Sequence, residues 1–185
     1  MLPFSKTKSS NPAIDELASA IFHVAMSSCS TYESDMQLLD ERMKEINRDV
    51  ALVELISMRL FVAVYASQTY LRGDEVKQRA REVHIGIMHK LLKEASDPRT
   101  RANPNLAIDM MNRRLVLYWD ALTDPQDSDT PWKVGKVFCE LCTGKPKEDP
   151  DVVMVGSVDF LASFRAVTDF LRERKKTDTN NLIEI

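Results

Sequence analysis

Apolar residues recur every three to four positions along most of this chain, which is the spacing of amphipathic helices. Asn11 and Pro12 form a helix-start signal, a capping residue followed by a first-turn proline. One face of the stretch that follows is apolar, at positions Ile14, Leu17, Ile21 and Val24. The pattern predicts a first helix over residues 12–29.

The longest unbroken pattern runs from residue 31 to residue 72, without a glycine or a proline. Its apolar positions alternate in steps of three and four, as in a coiled-coil seam, and include Met36, Leu39, Met43, Ile46, Val50, Val53, Leu60 and Val64. The positions beside the seam are charged or polar in the first half and mostly apolar in the second. We therefore expect one helix of roughly 58 Å, continuous or kinked near Asn47. Its second half should be surrounded by other helices.

Glycine, proline and capping residues divide the rest of the chain into four further helices. We expect helices to start at or beside Asp74, Pro104, Thr130 and Ser157, and Gly73 and Gly144 to end the helices before them. The last helix should finish at the basic run "RERKK", where cations complement the helix dipole. The stretch 144–157 should be irregular, although its "VVMV" could pair briefly as a strand.

These elements predict an all-α, single-domain elongated bundle of about six helices around one long central helix. The bundle should comprise residues 12–176, between an N-terminal extension over 1–11 and a C-terminal tail over 177–185. A chain of 185 residues suits one domain. Its five glycines leave few turns, which favours long elements.

The net charge, the most apolar window and the cysteine count indicate which partners and which cellular compartment to expect. The net charge of −3 provides no basic field for nucleic acid. The most apolar window contains Glu54 and Arg59, whereas a membrane span needs roughly 20 largely uncharged residues, so we expect no membrane span. Three cysteines are too few for a disulfide framework, which favours a cytoplasmic location.

Cys139 and Cys142 have the spacing of redox dithiols and metal clamps. Between Thr130 and Gly144, however, they occupy the last two turns of a helix, where the dipole disfavours a thiolate. Cys29 and the three histidines offer no second paired spacing, so we expect no metal site and no cofactor. We interpret both thiols as packing residues with ordinary or raised pKa values, and a thiol role stays open.

Glu54 and Arg59 are the two charges within the most apolar helix, where an unpaired charge is costly. Five positions separate them, or about 140° around the helix, so each needs water or a partner from another helix. We expect each of them to lie on the thin solvent side or to extend its charged end to the surface. The alternative is a buried polar pocket in the bundle core.

No catalytic motif is present: the chain lacks a phosphate-binding glycine loop, a nucleophile elbow and a zinc-binding His-Glu-x-x-His. We therefore expect a helical protein–protein interaction module, an adaptor, regulator or self-associating subunit, whose partner is another protein or a second copy. The candidate contact residues are Met36, Leu39, Met43 and Trp132. The alternative is a small-molecule sensor or an enzyme with a pocket near Glu54 and Arg59.

The seam between Met36 and Ile46 generates the first prediction. The helices on either side are too short to cover a 58 Å helix, so this end should bind a partner or a second copy. Leu39→Glu combined with Met43→Glu should therefore weaken association more than folding, as measured by equilibrium sedimentation and circular dichroism. A wild type that stays monomeric, together with a double mutant that unfolds, would make the seam ordinary core.

Overall fold

The computed structural model describes residues 12–27, 37, 46, 48–94, 104–123, 129–145, 149–179 and 181–185. Six helices account for most of them: α1 Pro12–Ser27, α2 Arg48–Tyr70, α3 Asp74–Glu94, α4 Pro104–Thr123, α5 Thr130–Thr143 and α6 Pro150–Lys175. Within this described part of the chain no β-sheet forms, and the sole strand-like pairing is a single bridge. The predicted all-α bundle of about six helices is confirmed.

Helix α2 lies at the centre of the bundle and contacts each of the other five helices. It is buried on nearly every side, by residues Ala51, Leu55, Met58, Leu60, Phe61, Val62, Ala63 and Ala66. This agrees with the prediction that the second half of the long pattern is surrounded. Burial all round also explains why its sequence is apolar all round rather than along one stripe.

The long predicted helix over 31–72 is not continuous through its middle. Ile46 lies in a bend, and α2 begins at Arg48. This favours the kinked alternative near Asn47. The seam residues Met36, Leu39 and Met43 lie outside the described residues, so their role in association stays a prediction.

Val50–Tyr70 is the one helix in the described ranges that is long and apolar enough to cross a membrane, with a mean hydropathy of 1.8. Two thirds of that window, 67%, is buried inside the bundle. The core helix of a bundle has the same length and composition, so this finding is weak evidence for a membrane span.

Helix α6 begins earlier than the sequence predicts. Asp149 is its N-cap, with Oδ1 accepting from the backbone N–H groups of Asp151 and Val152, and Pro150 occupies the first turn. The expected cap, Ser157, lies inside the helix, where its hydroxyl donates to the Val153 carbonyl oxygen at 2.7 Å. The prediction of an irregular stretch is therefore wrong over residues 150–157, and so is that of a strand at "VVMV".

A close crossing of α5 and α6 explains why valines and a glycine are helical there. A Cβ on Gly135 would lie 2.2 Å from the Val153 carbonyl oxygen, and one on Gly156 would lie 2.7 Å from the Phe138 ring. Because neither glycine has a side chain, the backbone of α5 at Gly135 approaches the backbone of α6, and the Phe138 ring approaches α6 at Gly156. Packing overrides the weak helix propensity of the valines, because Val152, Val153 and Val155 are all buried in the core.

The last described residues, 181–185, close the end of the bundle where α2 turns into α3. Ile183 forms an antiparallel bridge with Leu71, just before Gly73, which has the left-handed φ of +83° that glycine tolerates. The bridge places Ile183 in the hydrophobic core at 2% exposure. Ile183, in the predicted C-terminal tail over 177–185, is thus packed into the bundle.

The glycine crossing generates the second prediction. Gly135→Ala should lower the free energy of unfolding by about 1–3 kcal/mol, because its Cβ meets a backbone oxygen that cannot rotate away. Gly86→Ala is the matched control, since this helical glycine is exposed and has no neighbour within 4 Å. The control should gain roughly 0.5–1 kcal/mol from helix propensity. Urea unfolding measures both, and equal effects would contradict the close crossing.

Candidate functional site

Arg59 of α2 and Asp159 of α6 form a buried ion pair. The guanidinium donates from Nε to Oδ2 at 3.1 Å and from Nη2 to Oδ1 at 2.7 Å, so both carboxylate oxygens are engaged. The side chains are 4% and 0% exposed. Two-pronged geometry of this kind is the strongest form of the arginine–carboxylate contact. Because it joins the central helix to α6, this pair fixes how the two helices are aligned.

Glu54 of α2 is paired with Arg114 of α4, in a less complete arrangement. Arg114 Nε donates to Glu54 Oε1 at 2.6 Å, and Arg114 Nη1 also reaches the Met110 carbonyl oxygen at 3.3 Å. Glu54 is fully buried, while Arg114 keeps 20% of its surface in contact with solvent. The second carboxylate oxygen, Oε2, and the hydroxyl of Tyr118 are buried without a hydrogen-bond partner.

The expectation that Glu54 and Arg59 lie on a thin solvent side is wrong. Both are buried, and each has the partner from another helix that its position in the sequence requires. Sequence reasoning located the two charges but not their partners. A signal for one partner was present: Asp159 is the one acid between Val152 and Val167, in a mostly apolar stretch.

The environment of Glu54 shifts several ionisation equilibria in the same direction. Burial raises the pKa of the Glu54 carboxyl, and the hydrogen bond and charge of Arg114 oppose that rise. Burial, and then the negative charge of Glu54, hold the pKa of the Tyr118 phenol well above its usual range. The same two causes, in the same order, raise the pKa of the Cys142 thiol. The cluster therefore keeps the phenol and the thiol protonated.

Cys139 and Cys142 are both free and buried in the core, at 1% and 7% exposure. Cys139 lies further inside than the helical wheel of α5 alone predicts, because α6 packs on that side and the Asp149 N–H approaches its sulfur at 3.4 Å. Both positions fit the packing interpretation. Within the described residues no group of three or more metal-ligating side chains comes together, and Cys29 lies outside them.

Trp132 is half-buried and packs against the core from the first turn of α5. Its backbone N–H donates to Asp129 Oδ1 at 3.4 Å, which makes Asp129 the cap of this helix in place of the predicted Thr130. The indole thus belongs partly to the fold. A role for Trp132 as an interface anchor stays a prediction.

A row of aromatic rings crosses the surface from α4 through α2 to α6. Trp119 meets Tyr65 edge to face with ring centroids 5.4 Å apart, and Tyr65 lies 6.0 Å from Phe164. Val116 precedes Trp119 by three residues and Leu161 precedes Phe164 by three, so each neighbours its ring on the helix surface. We call these five residues the aromatic face.

The side chains of the aromatic face are partly exposed, and contacts between neighbouring rings hold them in place. Trp119 is 38% exposed, Leu161 48% and Val116 57%, while Tyr65 and Phe164 are half-buried. Phe61 supports the row from the core, 6.5 Å from Trp119 and 6.1 Å from Tyr65. The neighbouring Tyr118 is fully buried and takes the inward direction, so the indole of Trp119 is turned toward the surface.

Comparison with known proteins gives no further guide: no protein-family model, no curated protein and no solved structure matches this chain.

The Arg59–Asp159 pair generates the third prediction. Asp159→Asn should lower the free energy of unfolding by about 3–5 kcal/mol, because it removes the charge that Asp159 presents to the buried Arg59 guanidinium. Asp169→Asn is the control: it breaks the pairs with Arg165 and Arg172 on the exposed surface of α6 and should cost about 0.5 kcal/mol or less. Urea unfolding of both variants decides. Similar small losses would show that the buried pair is dispensable.

The Glu54 carboxyl generates the fourth prediction. Its folded-state pKa is raised, so the folded protein holds this proton more tightly than the unfolded chain. Its contribution to stability is therefore fully present below the unfolded pKa, and is lost as pH rises through the folded pKa. The difference in unfolding free energy between wild type and Glu54→Gln should thus move against the wild type from pH 4 upward. A difference that moves the other way would mean that Arg114 outweighs burial.

Proposed function

We propose that this protein is a helical protein–protein interaction module, and that it binds its partner through the aromatic face. The observation that carries the proposal is the ordered, exposed Trp119, held edge to face on Tyr65. Tryptophan and tyrosine dominate binding energy at protein interfaces. A ring that neighbouring rings already hold in place loses little conformational entropy when a partner covers it.

The flanking residues support the same surface. Val116 neighbours Trp119 at one end of the aromatic row, Leu161 neighbours Phe164 at the other, and both are about half exposed. Beyond Leu161 the exposed stripe of α6 becomes charged, at Arg165 and Asp169. An apolar centre with a charged border is the usual anatomy of an interface. A partner that presents an apolar surface fits this arrangement.

The alternative is a small-molecule sensor or an enzyme with a pocket near Glu54 and Arg59. One observation favours it, the pair of unpartnered buried atoms Glu54 Oε2 and Tyr118 OH. Against it, Arg59 is already engaged by Asp159 through both oxygens, and Glu54 is engaged by Arg114 through one. Charges that hold helices together are poorly placed to bind a ligand as well, so we favour association.

A cytoplasmic location is part of the proposal. Cys139 and Cys142 are free thiols, and a reducing compartment keeps thiols in that state. The partner is a protein or a second copy of this chain.

The fifth prediction tests the aromatic face at its exposed aliphatic residues on α4 and α6. Val116→Glu and Leu161→Glu should each raise the dissociation constant for the partner at least about tenfold, or about 1.4 kcal/mol, by placing a charge in the apolar contact. Leu117→Glu is the matched control: Leu117 is similarly exposed, at 46%, but lies on the opposite flank of α4 from Trp119.

The measurement has two arms. Sedimentation of the wild type over a range of concentrations tests for a second copy, and affinity capture followed by titration of the purified partner tests for another protein. All three variants should keep the wild-type circular dichroism, because the replaced side chains are exposed. A control that loses as much affinity as Val116→Glu would move the interface off the aromatic face. A wild type that neither self-associates nor yields a titratable partner would contradict the function.

A further inference from the structure

Residues 181–185 lie as a short extended segment along the connection between α2 and α3. The Glu184 N–H donates to the Tyr70 carbonyl oxygen and the Arg72 N–H donates to the Leu182 carbonyl oxygen, both at 2.7 Å. Leu71 and Ile183 face each other between these two bonds. The connection therefore presents a backbone edge, and the segment pairs with it through one antiparallel bridge.

Successive side chains of the segment contact chemically different parts of the surface beneath it. Ile183 is 2% exposed and belongs to the core, whereas Leu182 and Ile185 are half-buried against it. Between the two isoleucines, Glu184 reaches the Arg72 guanidinium at 3.5 Å. The receiving surface thus accepts an aliphatic side chain, an acid and a second aliphatic side chain in succession.

The segment places one fully buried side chain, Ile183, in the core, and its other side chains are half-buried or exposed. Beyond its pairing with the connection, the Ile183 N–H donates to Asp178 Oδ2 at 2.8 Å and Lys175 Nζ donates to the Ile185 carbonyl oxygen.

A pocket of about 110 Å³ remains beside the segment, between the start of α1 and the end of α6, with Leu182 and Ile183 on one wall. Asn181, the first residue of the segment, has a φ of +53°, a left-handed conformation that asparagine adopts more readily than most residues other than glycine. Segments with few buried contacts open locally without unfolding the whole domain.

We propose that the backbone edge at Tyr70–Arg72 is a binding site for an extended peptide segment of a partner protein with an aliphatic–acidic–aliphatic sequence, and that residues 181–185 occupy it in cis. Strand addition to an exposed edge is a general mode of peptide recognition, in which the main chain supplies affinity and side-chain pockets supply specificity. This surface goes beyond the aromatic face and needs none of its residues.

Because residues 181–185 belong to the same chain as the site, they inhibit the binding of another peptide there. A segment on a short connection acts at an effective concentration in the millimolar range, so a free peptide must compete with it. Release of residues 181–185 should therefore raise the affinity for a peptide in trans. The basic Arg72 beside the site explains the preference for an acid at the middle position.

The test uses a fluorescein-labelled peptide with the sequence of residues 181–185, Asn-Leu-Ile-Glu-Ile, titrated against the full chain by fluorescence anisotropy. Ile183→Asp should release the segment, and this variant should bind the peptide at least tenfold more tightly than the wild type. The same peptide with aspartate in place of its first isoleucine should not bind. Adding Arg72→Glu to Ile183→Asp should weaken binding, and a peptide with lysine in place of glutamate should restore it.

Three results would overturn the proposal. One is a folded Ile183→Asp variant that does not bind the peptide. Another is equal binding to wild type and variant, which would place the peptide elsewhere. The third is a wild-type dimer that Ile183→Asp dissociates without gaining peptide binding, which would assign the edge to the tail of a second copy.

Hydrogen exchange of the wild type keeps the proposal testable if Ile183→Asp does not fold. The Arg72 and Glu184 amides should exchange through local opening, faster than the amide of Val62 in the centre of α2, and added peptide should slow the Arg72 amide. Exchange of Arg72 and Glu184 only at the rate of global unfolding would make residues 181–185 a permanent part of the fold, and would overturn the proposal.

Discussion

The burial of α2 on nearly every side is the constraint on which the rest of this structure depends. At Glu54 and Arg59 the helix is covered by its neighbours, so neither charged group is exposed to solvent. Arg59 and Glu54 therefore need partners from the helices around it, and Asp159 and Arg114 supply them. Each pair prescribes which part of a neighbouring helix lies against which turn of α2, because an unpaired charge at either position would be costly.

The two pairs differ in completeness. Arg59 and Asp159 satisfy each other with two hydrogen bonds in a dry environment. Glu54 shares one oxygen with the partly exposed Arg114 and leaves the other without a partner, next to groups whose pKa values are raised by burial and by its charge. The first pair serves the alignment of helices. The second pair lies where the two buried polar atoms without a hydrogen-bond partner in the described part of the chain occur, Glu54 Oε2 and the Tyr118 hydroxyl oxygen.

The surface of the bundle follows from the same packing. Phe61 and Tyr118 stack in the core with ring centroids 5.6 Å apart, and this contact turns the adjacent Trp119 outward onto Tyr65. The aromatic face is thus an extension of the core to the surface, and that is why it is both ordered and exposed. At the end of the bundle, the turn from α2 to α3 leaves a backbone edge that residues 181–185 cover. Both surfaces on which our proposals rest are consequences of how α2 is enclosed.

The sequence by itself determined the helical class, the number of helices and most of their starts, because apolar periodicity, proline and capping residues act locally. Pro12 and Pro104 begin helices where expected, and Gly144 ends one. It also identified Glu54 and Arg59 as anomalies of an apolar helix. Only the tertiary structure decided that "VVMV" is helical, since the close approach of Gly135 and Gly156 to α6 and α5 outweighs local propensity. It alone decided which acid meets Arg59 and which of Tyr118 and Trp119 faces the core. Contacts between residues about a hundred positions apart leave no periodic trace in a sequence, because they depend on how whole helices are aligned.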